Sequence, residues 1–256
     1  MRKSLLNYLG FLLLCTFFAG CKPYAHVTKV DSNVITVDSI SAAKEDTSSL
    51  RIIKPFREKM LAQMNGILGY TDQAMVKELP EGILNNFVAD LILKKSFDYY
   101  KPADSIKIDF CLLNFGGLRA ALPKGAITLE QVYELMPFEN SLVVITLNGI
   151  KTKQVFDYIA KQGGDPVSGI TMEIKDTVAT NILVNGKPLD TSRTYKIVTL
   201  DYLANGGDKM TIFKTPLKRE DLGVKVRDAI ITYMKEENKK GLVLTSKLDS
   251  RIHYAR

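Results

Sequence analysis

Apolar positions recur along this chain with two periods, and the switches between them mark the elements. "ILNNFVADLILKKSF" places Leu84, Phe87, Val88 and Leu91 at spacings of three and four, which predicts a helix. A second helix is expected from Leu50 to Met64, with Pro55 tolerated only if it falls in the first turn. "SIKIDFCLLN", Ser105 to Asn114, reads as a central strand. "TLEQVYELM" reads as a helix capped by Thr128, with Gln131 three residues on. "SLVVITLNG" is a strand ended by Asn-Gly, and "IKTKQVFDYIAKQGG" a helix stopped by glycines. "GITMEIKD", "TNILVNGKPL" and "TYKIVTLDYL" read as strands joined by turns. "REDLGVKVRDAIITYMKEEN" reads as a late helix and "SRIHYAR" as a closing strand. Strands outnumber the regular strand–helix pairs of a doubly wound fold, and no Gly-rich dinucleotide fingerprint appears. The pattern predicts an α+β fold: a single domain with a mixed β-sheet and packed helices.

The start of the chain follows different rules. "MRKSLLNYLGFLLLCTFFAGC" carries Arg2 and Lys3, an apolar run, then small residues before Cys21, which is the layout of a secretory signal. No later segment is long and apolar enough to span a bilayer. Residues 1–20 are read as signal, 21–48 as a tether with a short hairpin possible in "HVTKVDSNVITVDS", and 49–256 as the folded domain. Of three cysteines, Cys15 lies in the signal, so no internal disulfide is expected, and Cys111 is read as a small buried hydrophobe. The formal charge of +7 is scattered. Binding to a nucleic-acid polymer would want clustered cations interleaved with aromatics, and that pattern is absent.

Three stretches carry candidate chemistry. In "NFGGLR", Gly116 and Gly117 let a ligand approach backbone N–H groups, and Arg119 offers a planar fork for phosphate or carboxylate. Asn114 either holds the turn or touches a ligand. In "MPFENSL", Phe138 is a stacking platform or a core plug, and Asn140 reads a polar base edge or caps the turn. In "LDYLANGGDKM", Tyr202 is a second ring or a buried tyrosine. Beside Gly206 and Gly207, Asp208 accepts sugar hydroxyls or caps a turn. The residues alone leave each pair of readings open.

Taken in order, "ILNNFVAD", "NFGGLRAALPKGAIT", "MPFENSLVVITLNG", "GKPLDTSRTYKIVT" and "DYLANGGDKM" resemble the C-terminal, substrate-binding domain of the bacterial 5'-nucleotidase and UDP-sugar hydrolase family. The resemblance covers roughly Leu50 to the C-terminus. It implies that Phe138 and Tyr202 stack on a nucleobase, that Arg119 serves the anionic side, and that Asn114, Gly116, Gly117, Asn140, Gly207 and Asp208 line the substrate site. Gly163 and Gly164 match a glycine loop at its rim. The ligand implied is a nucleoside, nucleotide or nucleotide sugar. "FAGC" likewise resembles a bacterial lipobox, with Phe18 in place of the usual leucine. It implies lipidation at Cys21, export, and an anchor in the cell envelope facing periplasm or exterior, touching the membrane through lipid only.

The departures are specific. Asn85, Phe115, Glu139 and Lys209 stand where the family pattern has glycine or another residue of the glycine run, and Glu139 brings negative charge beside the stacking Phe138. No arginine occurs between Arg57 and Arg119; Lys77 is the nearest substitute. Full-length relatives add a metallophosphatase domain whose two-metal site needs several histidines. This chain has two, His26 and His253, and no nucleophile with its base. We expect no cofactor on this chain, no catalytic residue, and divalent metals only on a separate exported metallophosphatase chain. The chain alone is expected to hydrolyse phosphate esters poorly. The alternatives are a stand-alone nucleotide-binding lipoprotein and an interaction module with a decayed pocket.

Overall fold

A computed structural model describes residues 27–34 and 46–255. The signal, Cys21 and the far half of the tether hairpin lie outside the described residues; 27–34 hold no strand. The chain divides between Ile52 and Ile53, inside helix α1 (Thr47–Met64). That helix starts three residues before the expected Leu50, because the Asp46 carboxylate accepts from the Ser48 N–H and from the Ser48 and Ser49 hydroxyls. Those donors hold the Asp46 carboxyl down at about 2. Pro55 therefore sits in the helix interior rather than its first turn.

The folded unit after Ile52 comprises β1 (Ile67–Thr71), α2 (Ile83–Tyr99), β2 (Phe110–Leu112), β3 (Gly125–Thr128), α3 (Leu129–Leu135), β4 (Ser141–Asn148), α4 (Gly149–Gln162), β5 (Val167–Ser168) and β6 (Ile170–Lys175). It continues through β7 (Val178–Val184), β8 (Lys187–Pro188), β9 (Thr194–Leu200), α5 (Asp201–Ala204), β10 (Lys218–Lys225), α6 (Val226–Lys239) and β11 (Ile252–Tyr254). Five strands form a mixed sheet in the order β10–β4–β9–β2–β5, with β9 and β2 parallel. A second sheet runs β11–β6–β7–β8, and β1 pairs with β3. This is an α+β domain.

The central sheet is buried on both faces, which is why its strands read as continuous apolar runs. Along β4, Leu142 and Val144 face one cluster with α2 and α6; Val143, Ile145 and Leu147 face the other with α4. β9 alternates likewise, with Val198 and Leu200 on the first face and Tyr195 and Ile197 on the second. Cys111 is fully buried on the first face, and burial pushes its thiol well up. The expected capping box of Thr128 and Gln131 is present. Asn148 caps α4, which Gly163 ends in the left-handed region.

Two expected elements change. The strand over Ser105–Asn114 shrinks to Phe110–Leu112, because Asp104 bonds the Ile106 N–H around a left-handed Ser105 and turns the chain away. The late helix starts only at Val226. Its expected first turns are edge strand β10, in which Glu220, Leu222 and Val224 alternate inward with period two against β4. Strands β1 and β3 were not expected from the apolar pattern; they are short and half exposed.

Candidate functional site

Strand register brings three distant loops to one sheet edge. β2 and β9 run parallel, so the segments leaving their C-terminal ends emerge side by side. β4 is antiparallel to β9, with Leu142 opposite Leu200, so the segment entering β4 lies at the same edge. These three segments are Asn114–Arg119, Asp201–Lys209 and Pro137–Asn140, the three stretches singled out above.

They enclose a cavity of about 270 Å³ lined by Asn114, Gly116, Gly117, Arg119, Phe138, Asn140, Tyr202 and Asp208. Phe138 and Tyr202 are each 42% exposed, so neither ring is a core plug. Tyr202 does not lie in the strand where "TYKIVTLDYL" was read; β9 ends at Leu200, and Tyr202 sits in α5. Gly207 lies beneath it. A Cβ there would come within 2.5–2.6 Å of three atoms of the Tyr202 ring, so one ring face rests on glycine backbone. Gly117 is pinned similarly: a Cβ would meet Asn114 Oδ1 at 2.6 Å.

Asp208 is held from three directions. Its Oδ1 accepts from the Tyr202 hydroxyl at 2.8 Å, its Oδ2 from Asn114 Nδ2 at 2.7 Å, and its carbonyl from the Tyr158 hydroxyl at 2.9 Å. Its backbone is left-handed, φ 50°. The bond to Asp208 raises the Tyr202 phenol above its ordinary range. Asn114 is buried, and its Oδ1, packed against Gly117, has no hydrogen-bond partner.

Cationic groups gather on the other side of the glycine turn. Lys77 Nζ donates to the Phe115 carbonyl at 3.2 Å and lies 4.3 Å from the Phe115 ring centre. Burial and the nearby Arg119 lower its pKa. The glycine turn thus carries two positive charges close enough to disfavour one another. Glu139, expected to oppose one, does not line the cavity. Its carboxylate pairs with buried Arg227, whose guanidinium lies 4.1 Å from the Tyr133 ring centre.

The sequence reading missed a second cavity of about 410 Å³, sharing Gly116 and Asp208 with the first and lined also by Leu79, Phe115, Tyr158 and Asp165. Gly164, matched above to a rim loop, lines this one. Asp165 is 7% exposed and accepts from the Phe115 N–H at 2.9 Å. Burial pushes its carboxyl up to about 7, with Asp208 adding and the Phe115 bond opposing. Burial likewise takes the Tyr158 phenol to about 12. A signal was available: Gly163-Gly164-Asp165 repeats the Gly-Gly-Asp of 206–208.

Among the described residues, no group of three or more His, Cys, Asp or Glu side chains is placed to hold a metal, and no helix is long and apolar enough to cross a membrane. His253 pairs with Glu173 at 3.3 Å, in a third cavity away from these residues. The described donors do not fit a two-metal phosphatase centre.

The profile of the family described as "5'-nucleotidase, C-terminal domain" matches residues 63–215, and the chain belongs to that family. It is 26% identical over 193 residues to a 5'-nucleotidase of Vibrio cholerae, covering 70% of this chain and 32% of that protein. It is 28% identical over 252 residues to the trifunctional nucleotide phosphoesterase protein YfkN of Bacillus subtilis, covering 90% of this chain and 16% of that one. The crystal structure of a 5'-nucleotidase precursor from Thermus thermophilus superposes with a TM-score of 0.69 at 27% identity, over 85% of this chain and 45% of that chain. The chain thus spans about a third of the length of the first curated relatives it matches.

Proposed function

We propose that this chain is the recognition half of a 5'-nucleotidase-type phosphohydrolase. It holds a nucleoside or nucleotide, and a separate exported metallophosphatase chain supplies the metals and the bond cleavage. The observation that carries the reading is the cavity itself. Two half-exposed rings, a carboxylate and an arginine converge there from three loops, and the resemblance independently attaches these residues to nucleotide recognition. The base stacks on Phe138 and Tyr202, Asp208 accepts from the sugar, and Arg119 with Lys77 faces the phosphate. Gly116, Gly117 and Gly207 keep backbone and ring close to the ligand, and Asn114 and Asn140 supply polar contacts. No residue of this chain is assigned a catalytic role. A nucleotide sugar fits the same scheme.

We read residues 1–20 as an export signal and Cys21 as the lipidated first residue of the mature chain, which would hold the domain at the bacterial cell envelope. Binding on one chain and chemistry on another works when docking sets the phosphate at the metals. A stand-alone nucleotide-binding lipoprotein is the second reading; among the described residues no cluster of donors is placed to hold a metal, which suits either reading.

A calorimetric panel of nucleosides, mononucleotides and nucleotide sugars against the purified chain tests recognition. Phe138→Ala and Tyr202→Ala are each expected to weaken binding by about tenfold or more, since base–aromatic stacking contributes ~1–3 kcal/mol. No binding to any of these ligands would end the proposal. Phosphate release that appears only when a metallophosphatase chain is added separates the first reading from the second.

A further inference from the structure

We infer that Arg227 is a positioning residue for base recognition: its guanidinium, latched by Glu139, holds the loop that carries Phe138 and so sets that ring at the cavity. The inference rests on the nucleoside reading above for the base that meets the ring, and adds what keeps the ring in place. The two rings are held by different means. Tyr202 is fixed through its own side chain, by the Gly207 backbone beneath it and the bond from its hydroxyl to Asp208. Phe138 has no such hold. It is half-exposed, forms no aromatic pair among the described residues, and sits in a loop without regular structure between α3 and β4. Its backbone therefore decides where the ring stands.

That backbone hangs from the point where β10 passes into α6. Three successive residues there reach the carbonyls of Met136, Phe138, Glu139 and Asn140. Arg227 Nη1 donates to the Met136 carbonyl at 3.1 Å and lies 3.5 Å from the Phe138 carbonyl oxygen. Lys225 Nζ donates to the Glu139 carbonyl at 2.7 Å, and the Val226 N–H to the Asn140 carbonyl at 2.9 Å. Arg227 Nη2 donates to the Glu139 carboxylate, and the guanidinium lies 4.1 Å from the centre of the Tyr133 ring on α3. The fork is thus seated on the helix before the loop and grips the loop itself.

Arg227 is buried. A position needing only bulk would take an apolar side chain, because a buried cation costs free energy unless its hydrogens are spent. Here they are spent on the Phe138 loop. A planar fork reaches a carbonyl and a carboxylate together, which the single ammonium of a lysine does not. Arg227 does not line the cavity, so it acts on the base through Phe138.

The chain contains no tryptophan, so Phe138→Trp makes this ring a fluorescent reporter of its own mobility. In that background Arg227→Lys and Glu139→Gln should each lower the fluorescence anisotropy and raise quenching by acrylamide, with no ligand present. Calorimetry with adenosine supplies the second readout. Arg227→Lys should weaken binding by about fivefold when Phe138 is present, and by less than about twofold in a Phe138→Ala background, where the ring it places is gone. Glu139→Gln, a change confined to an exposed side chain, should show the same dependence on Phe138 with a loss of about twofold, and decides the matter if Arg227→Lys fails to fold. Equal losses with and without Phe138, or an anisotropy that neither substitution changes, overturn the inference and leave nucleoside binding standing. A wild type that binds no nucleoside overturns the nucleoside reading itself, and the anisotropy alone then decides whether Arg227 holds the ring.

Discussion

The two adjoining cavities share Gly116 and Asp208 and differ in nearly everything else. The smaller, about 270 Å³, displays two half-exposed rings, an arginine and the Asp208 carboxylate. The larger, about 410 Å³, has at its wall a buried carboxylate spent on a backbone N–H of the same glycine turn. A third cavity, about 820 Å³ around His253, Tyr254 and Glu173, is larger still, but it gathers no glycine turn and no buried donor or acceptor left without a partner. Volume therefore does not mark the site. What marks it is a set of side chains the fold leaves partly unused, whereas Asp165 is used from behind to hold the turn that carries them.

That division of labour makes the largest expected effect one of stability. With its carboxyl at about 7 against an ordinary 3.8, the folded state holds a proton that the unfolded chain has released. A raised carboxyl contributes stability that is fully present below about pH 4 and is lost as pH rises through about 7. Between pH 5 and 8 the linkage amounts to about 3 kcal/mol, read as a falling urea midpoint. Asp165→Asn keeps an oxygen for the Phe115 N–H and removes the titration, so its midpoint should stay flat and exceed wild type at pH 8. Parallel profiles for the two proteins would mean that Asp165 is solvated like an ordinary surface carboxylate.

Two glycines sharpen the contrast. At Gly164 the backbone has φ 124°, and a Cβ would lie 2.3 Å from the Pro80 carbonyl oxygen, an atom that cannot step aside. Gly164→Ala should cost about 3 kcal/mol of stability. At Gly207 the obstructed atoms belong to the Tyr202 ring, which can rotate away. Gly207→Ala should leave the melting temperature within a few degrees and weaken nucleoside binding about tenfold. If both variants lost stability alike, the ring cleft would be structural in the same sense as its neighbour.

Much of this was legible in the local sequence, and the reason is topological. The ends of β2 and β9 and the start of β4 meet at one edge, so three short loop motifs suffice to describe the cavity wall. The two-sided core was legible too, because strands such as β4 alternate between two apolar clusters and so contain no polar gap. Pairings between distant residues were not legible. Glu139 looked hostile to an anion until Arg227, 88 positions later, took its charge. Edge strand β10 was hidden because residues 218–221 are an unbroken charged run, including the inward Glu220, so the alternation of period two does not show in the apolar pattern. Asp165 was overlooked although its Gly-Gly-Asp context matched that of Asp208, since burial, which distinguishes the two, is not a local property.

The smallest expected effect concerns the cationic rim. Arg119 is exposed and makes only a 3.4 Å contact to the Gly116 carbonyl, so its guanidinium is not committed to the fold. Lys77 is more constrained, tied to the Phe115 carbonyl and ring, and its depressed pKa records first its burial and then the push of Arg119. Removing Arg119 deletes a fork but leaves Lys77 held at the same turn. Arg119→Ala should lower affinity for a 5'-monophosphate by about fivefold rather than abolish it, with nucleoside affinity changed less than twofold. The monophosphate's advantage in the wild type should also shrink with added salt, because both cations face solvent. Equal losses for nucleoside and nucleotide would move Arg119 from the phosphate to the shape of the glycine turn, and the ring cleft would then read the base and sugar without sensing the charge beyond them.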